Sequence, residues 1–303
     1  MKRIFIIFAV TLLMIMNLMA IGESGGSIFN FNAGARAASM AGVFIAKADD
    51  VNTIFYNPAG MVNIGSYELG FTYDKNIADI RNAIVTFVAP IQEIGSIGIG
   101  IIHSTIQRDI NNSIEGEAIK VYDLAGILGY SYAITKELLI GGNIKYLNSQ
   151  LGEYSSWAMG IDIGVLYYLN KNISLGLVGQ NIGTGIKFDS EETKLPIKAG
   201  LGANYEAINI EGHTVTIGSD IRYNFVDNYM ETGIGVEYLY NEMFGIRLGY
   251  MLEANSLNGL TAGAGVKSVV DDMVLRFDYA FLPKLWQEGD FDSSHMISFS
   301  VAF

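Results

Sequence analysis

The segment MVLRFDYAF places Met273, Leu275, Phe277, Tyr279 and Phe281 at alternate positions, with Val274, Arg276, Asp278 and Ala280 between them. The same period of two recurs in FGIRLGYML (residues 244–252) and HTVTIGSDIRY (residues 213–223). Successive side chains of a strand point to opposite faces, so each segment carries one apolar face and one small or polar face. About fourteen such segments follow Ser66, starting near Tyr67, Ala83, Ser96, Val121, Leu138, Trp157, Ile173, Leu195, Thr214, Met230, Phe244, Leu260, Met273 and His295. Most are about 9–12 residues long, the length a tilted strand needs to cross a bilayer and roughly twice the mean for soluble sheets.

The connections supply an independent sign. Those at residues 105–119, 182–194 and 282–293 are long, whereas those at 91–94, 134–137, 170–171, 241–242 and 269–272 are brief. Alternation of long and short connections is the wiring of a transmembrane barrel, with short periplasmic turns and longer outer loops. The long loops are acidic, with Glu115, Glu117, Glu191, Glu192, Glu288, Asp290 and Asp292. Hydrocarbon offers no hydrogen-bond partner, so strands that cross it must close on themselves. The expected fold is therefore all-β, a transmembrane antiparallel β-barrel of about 14 strands. Its apolar faces would meet outer-membrane lipid. Asp220, Arg222, Arg247, Arg276 and Asp278 would line the lumen, on the same face as Lys145, Asp162, Lys198 and Glu237. Tyr130, Tyr132, Tyr167, Tyr168, Tyr238, Tyr240 and Tyr250 fall near strand ends, where aromatic girdles sit.

Composition agrees and excludes alternatives. Half of the 303 residues are apolar and only 17% are charged, against about a quarter charged in soluble proteins. The net charge of −12 argues against a nucleic-acid partner and against docking through a polybasic patch. The absence of cysteine removes disulfides, thiolate catalysis, cysteine-ligated zinc and a lipidated cysteine anchor. Lys2 and Arg3, an apolar run from Ile4 and small residues at Ala20 and Gly22 have the layout of a secretory signal peptide over residues 1–22. Export to the outer membrane of a double-membraned bacterium follows.

The chain ends in MISFSVAF, with Phe299, Val301 and Phe303 on one face. This resembles the C-terminal recognition strand of bacterial outer-membrane barrels, which implies the barrel assembly machinery as a partner. Between leader and barrel lies GARAASMAGVFIAKADDVNTIFYNPAGMV, residues 34–62. It has many small residues and little alternation. Asn57-Pro58 with Gly60 makes a fixed turn, since proline cannot donate to a ladder and restricts the residue before it. The segment resembles the N-terminal hatch of the FadL-like outer-membrane transport superfamily (OMPP1/FadL/TodX) and its PorV/PorQ-type relatives. The likeness rests on Gly34-Ala35-Arg36-Ala37, Met40-Ala41-Gly42, Asp49-Asp50 and Asn57-Pro58-Ala59-Gly60, with Ala41 where a glycine is common.

The resemblance implies a plug over residues 23–65, folded into the periplasmic half of a barrel over residues 66–303. Asn57, Pro58, Ala59 and Gly60 would form it, with Arg36, Asp49 and Asp50 as lumen contacts. Inward glycines (Gly98, Gly100, Gly141, Gly200, Gly202, Gly233, Gly235, Gly245, Gly249, Gly263 and Gly265) would leave room for it. It also implies passive uptake of a hydrophobic or amphipathic ligand such as a long-chain fatty acid. The alternative is a PorV-like docking partner for an exported protein, acting through the outer loops. No enzyme, cofactor or metal is expected. His103, His213 and His295 are isolated, and GESGG (residues 22–26) has no strand before it to make a nucleophile elbow.

Overall fold

The computed structural model describes residues 24–75, 80–106, 121–188, 191–253, 259–283 and 293–303. Strands β1 (Glu68–Lys75), β2 (Ile80–Ile91), β3 (Gly95–Ile106), β4 (Val121–Ala133), β5 (Leu138–Leu151), β6 (Tyr154–Tyr168) and β7 (Ile173–Gly183) pair in sequence order. A separate hairpin follows, β8 (Gly185–Phe188) with β9 (Glu191–Lys194). The wall resumes with β10 (Lys198–Ile210), β11 (His213–Asn224), β12 (Tyr229–Tyr240), β13 (Phe244–Glu253), β14 (Gly259–Val270), β15 (Met273–Leu282) and β16 (Ser294–Ala302). β1 then pairs with β16, from Glu68 opposite Ala302 to Lys75 opposite His295. The fourteen wall strands form a closed antiparallel barrel with no free edge, as a sheet in hydrocarbon requires.

The alternation read from sequence becomes an inside and an outside. On β13, Leu248 is 53% exposed while Arg247 beside it is 5% exposed. Phe244, Ile246, Tyr250, Phe277, Phe299 and Ile221 share the outer surface, and Asp220, Arg222, Glu237 and Asp278 are buried on the inner one. Arg276 is half-buried on that inner face. A soluble fold would invert this pattern, because exposed apolar belts of this extent are absent from monomers in water. Tyr130, Tyr132, Tyr167, Tyr240 and Tyr250 project outward, but Tyr168 turns inward and packs near buried Leu139 and Leu166.

Both ends of the barrel wall lie at the rim of short turns. At that rim, Asn241 and Glu242 both have positive φ, 52° and 57°, as the tightest hairpin turns need. Two connections at the opposite rim are also tight, contrary to the expected rhythm. Gly152 turns between β5 and β6 with φ 61°. Between β11 and β12, the Asn224 side chain accepts from the amides of Val226 and Asp227, both at 3.0 Å. The β8–β9 hairpin occupies what reads in sequence as an open loop. The leader and the acidic stretches around Glu115, Glu117, Glu288, Asp290 and Asp292 lie outside the described residues.

Leu248→Arg puts a cation on the outer face one residue from a tolerated inner arginine. It is expected to destabilise the barrel by about 2–4 kcal/mol, measured by reversible denaturant unfolding in lipid bilayers.

Candidate functional site

The lumen holds the chain's own N-terminal segment. It contains two one-turn helices, α1 (Ala35–Ala38) and α2 (Thr53–Tyr56), and 3₁₀ turns at Ser27–Phe29 and Pro58–Asn63. Pro58 forces Asn57 into an extended conformation, φ −147° and ψ 102°. From there the Asn57 Oδ1 accepts the Ala59 amide at 3.1 Å, which caps the turn that Pro58 begins. Its Nδ2 donates to the Ile45 carbonyl at 2.8 Å and to the Val165 carbonyl of β6 at 3.0 Å. One asparagine therefore ties the turn to the rest of the segment and to the wall.

Such close approach needs glycine in the wall. A Cβ on Gly141 would lie 2.5 Å from the Ala59 amide nitrogen, and one on Gly164 would run into Asn57. Gly98, Gly100, Gly200, Gly202, Gly233, Gly235, Gly249 and Gly263 also face the segment, whereas Gly245 and Gly265 face the side chains of Arg247 and Asp278. Ala41 adopts φ 57°, the left-handed region that favours glycine.

Inside the barrel the segment lacks a ladder, so its backbone polar groups need other partners. Wall side chains supply them. Ser298 Oγ accepts the Ala35 amide at 2.8 Å, and Thr261 Oγ1 both accepts the Ala41 amide at 3.0 Å and donates to the Ser39 carbonyl at 2.9 Å. Asp220 Oδ2 accepts the Phe44 and Ile45 amides at 2.8 and 3.0 Å, while Arg222 donates to the Gly42 carbonyl. Ser174, Asn143 and Gln180 donate to the carbonyls of Ala46, Ile54 and Phe55 at 2.8, 2.8 and 2.9 Å. Within the segment, the Tyr56 hydroxyl donates to the Ala33 carbonyl at 3.0 Å. Burial pushes that hydroxyl's pKa up, which keeps it a donor.

Charge holds the lower half. Glu237 of β12 is fully buried. Arg36 reaches it with two hydrogen bonds, Nε to Oε1 at 2.8 Å and Nη2 to Oε2 at 2.9 Å. Lys47 Nζ lies 3.1 Å from the same carboxylate, and Arg247 Nε donates to it at 2.7 Å. Arg36 also pairs with Asp49 at 2.7 Å and Asp50 at 3.2 Å, and Arg247 pairs with Asp278 at 2.7 Å. Burial opposes charge on Arg36 and Lys47, yet the surrounding carboxylates outweigh it and raise both pKa values. Burial likewise pushes Asp49 up, but Arg36 and Lys47 win and hold it below the usual carboxylate range. Lys47 escaped the sequence reading, although a lysine two residues before Asp49-Asp50 in a charge-poor stretch was a usable signal.

The segment is not confined to the short-turn half. Ser24 donates from its amide and hydroxyl to Asp227, at 2.7 and 2.6 Å, in the β11–β12 turn of the opposite rim. Gly25 donates to the Lys194 carbonyl at 2.8 Å, and Ile28 packs in one buried cluster with Leu147, Ile186 and Leu195. The β8–β9 hairpin thus folds over the start of the segment. Beside it, Ile28, Phe31, Ile80, Val121 and Tyr122 line a pocket of ≈ 270 Å³ together with the polar Ser27, Asn30, Asn82, Ser104 and Asp123. A second cavity, ≈ 170 Å³ and rich in charge, opens at the short-turn rim below Arg36 and Lys47.

The remaining predicted residues sit apart from this lumen network. Phe299 and Phe303 are exposed on or just beyond β16, with Val301 half-buried between them. Phe299 is opposite Phe71 and Phe277, and the Phe303 ring lies 6.0 Å from Tyr67. His213 and His295 pair with Tyr238 and Tyr279 on the outer surface at 2.8 and 2.7 Å. Among the described residues no group of three His, Cys, Asp or Glu side chains is placed to hold a metal.

The architecture has known counterparts. The toluene transporter TbuX of Ralstonia pickettii superimposes with a TM-score of 0.63 at 14% identity, covering 90% of this chain and 98% of that one. The toluene transporter TodX of Pseudomonas putida gives 0.62 at 13% identity, covering 89% and 97%. A FadL homologue from Pseudomonas aeruginosa gives 0.59 at 11% identity, covering 88% and 97%. The chain has the FadL-like barrel fold. In sequence, the model described as "Uncharacterised protein family (UPF0164)" matches residues 20–152. No curated protein matches by sequence.

Arg36→Ala leaves Glu237 buried with less compensation and is expected to cost about 3–5 kcal/mol of unfolding free energy, partly restored when Glu237→Gln is added. The contribution of Asp49 and Lys47 to the pH response is expected to be flat between about pH 5 and 9. Asp49, with its lowered pKa, contributes fully above the ordinary carboxylate value and loses its contribution as pH falls through the lowered one. Lys47, with its raised pKa, contributes fully below the ordinary lysine value and loses its contribution only as pH climbs past the raised one. Unfolding midpoints in micelles across pH check both ends.

Proposed function

We propose that this chain is an outer-membrane channel for passive uptake of hydrophobic or amphipathic small molecules, with residues 23–65 as its plug. The observation that carries the reading is the amphipathic pocket at the long-loop mouth, whose lining includes Ile28 and Phe31 of the segment itself. A ligand entering there meets the plug directly. At ≈ 270 Å³ the pocket is smaller than the usual range for drug-sized ligands, roughly 300–1,000 Å³. A single aromatic ring or the end of an acyl chain fits it, in keeping with the toluene transported by TbuX and TodX and with the fatty acids that the hatch resemblance implies. The leader over residues 1–22 and placement in the outer membrane belong to the same reading, as does recognition of Phe299, Val301 and Phe303 by the barrel assembly machinery.

Passage requires the plug to shift, because Asn57, Ala59 and Ile45 pack directly on the wall. Its attachments are individual hydrogen bonds and ion pairs, each replaceable by water, and not a continuous ladder. Asn57, with partners on both the segment and β6, is the latch in this scheme. The secretion-partner reading places function in the outer connections, which lie outside the described residues at 107–120 and 284–292.

A disulfide between substituted residues 43 and 218 tests the plug. Val43 Cγ1 lies 2.8 Å from where a Cβ on Gly218 would stand, so Val43→Cys with Gly218→Cys brings two sulfurs within bonding range after small adjustment. Oxidised protein in liposomes is expected to take up toluene or a fatty acid at least about tenfold more slowly than reduced protein. Equal rates in both states remove the moving plug.

A further inference from the structure

The lumen is uneven around its circumference. From β10 to β15 the inner face carries Lys198, Asp220, Arg222, Glu237, Arg247 and Asp278. The arc of β2, β3 and β4 is different. At its long-loop end Ile80, Asn82, Ser104 and Asp123 line the ≈ 270 Å³ pocket. At its short-turn end lies a larger cavity of ≈ 790 Å³, bordered by Pro90 and Ile91 of β2, Ser96 of β3, Ala133 of β4, and Val62 and Ile64 of the segment. Between the two, no inward position on these strands is charged. Ile84, Val88, Ile102, Ala125 and Ile127 share that stretch with three glycines and one polar side chain, Thr86. The segment also meets this arc without polar ties. Its hydrogen bonds and ion pairs run to β5, β6 and β7 and on to β11, β12, β14 and β16. Among the described residues, none runs to β2, β3 or β4. Contact with the glycines of the arc is made by Ile54, Phe55 and Met61. A Cβ on Gly98 would run into Met61 and stand 3.0 Å from Ile54 Cδ1, one on Gly100 would stand 3.1 Å from Phe55 Cζ, and one on Gly129 would stand 2.8 Å from Met61 Cε.

We infer that an uncharged apolar molecule crosses the lumen between the segment and the β2–β4 wall, from the outer pocket to the short-turn cavity. On this side a guest replaces the dispersion contacts of Ile54, Phe55 and Met61 with its own, and no hydrogen bond between segment and wall stands in the way. Along β5–β7, or along β11 and β12, it would strip hydrogen bonds or ion pairs. Met61, an unbranched and flexible thioether set against Gly98 and Gly129, is the side chain that yields. The stretch between the two cavities offers no counter-ion, so a charged molecule would lose its hydration there without compensation. The inference rests on the uptake reading above and adds its route and its preference for neutral molecules.

The chain has no cysteine, so single thiols report on the route. Ile102→Cys and Ser96→Cys place one towards the long-loop and short-turn ends of the arc, and Val178→Cys places a control on the inner face of β7. All three positions are similarly buried, so a difference in reactivity reads access through the lumen. Each variant, verified as a folded barrel by gel mobility, is reacted in nonionic micelles with benzyl methanethiosulfonate, an uncharged aromatic thiol reagent. Labelling at positions 102 and 96 is expected to be at least about tenfold faster than at 178, and excess toluene should slow the first two alone. In whole cells that carry the variants in their outer membrane, labelling at 102 or 96 should cut toluene uptake at least about tenfold, while labelling at 178 leaves it unchanged. Equal labelling at the three positions overturns the route, as does undiminished uptake by the proteins labelled at 102 and 96. Fast labelling at 102 with 96 as slow as 178 overturns the exit at the short-turn cavity. Unlabelled protein that admits no toluene, with the labelling pattern intact, defeats the channel reading alone.

Discussion

A carboxylate buried in the wall of a barrel cannot be left without a partner, and Glu237 is such a group. Its compensation comes partly from the neighbouring strand, through Arg247, and partly from the N-terminal segment, through Arg36 and Lys47. Removing the segment would leave an ion in a low-dielectric site with one of its three partners, a penalty of several kcal/mol. The barrel and the segment are therefore one electrostatic unit. The constraint originates in the membrane, because an outer face that must be apolar leaves charge nowhere to go but inward.

The same constraint explains the small polar residues of the inner face. The segment is too irregular to satisfy its own backbone, and Ser298, Thr261, Asp220, Ser174, Asn143 and Gln180 take that role one group at a time. This arrangement seats the segment through separate side-chain contacts, which the proposed plug movement would break one at a time. A strand added to the sheet would be held by a cooperative ladder, but discrete side-chain contacts exchange with water in steps. The proposed uptake depends on that difference.

Strand positions and faces were legible because alternation is local. A five-residue window around Leu248 already shows which side Arg247 must take. The Asn57-Pro58 turn was legible for the same reason, as proline acts on its immediate neighbour. Other features depend on distant residues and were not. The β8–β9 hairpin has strands of four residues, too short for a period to show. The reach of Ser24 and Ile28 to the far mouth is fixed by Asp227, Leu147 and Leu195, far away in sequence. That Asn143 or Gln180 caps a carbonyl of the segment, while Ser131 has no partner, follows from stagger between strands and from nothing in the local sequence.

The central claim is that residues 34–64, despite having almost no regular secondary structure, are held inside the lumen by the wall. Hydrogen–deuterium exchange of the full chain in lipid bilayers reads this most directly. The amides of Ala35, Ala41, Phe44, Ile45 and Ala59, each bonded to a buried side-chain oxygen, should exchange as slowly as amides in the middle of β12 or β13. Exchange of those five within seconds, at the rate of an exposed loop, would contradict a seated segment and the account built on it.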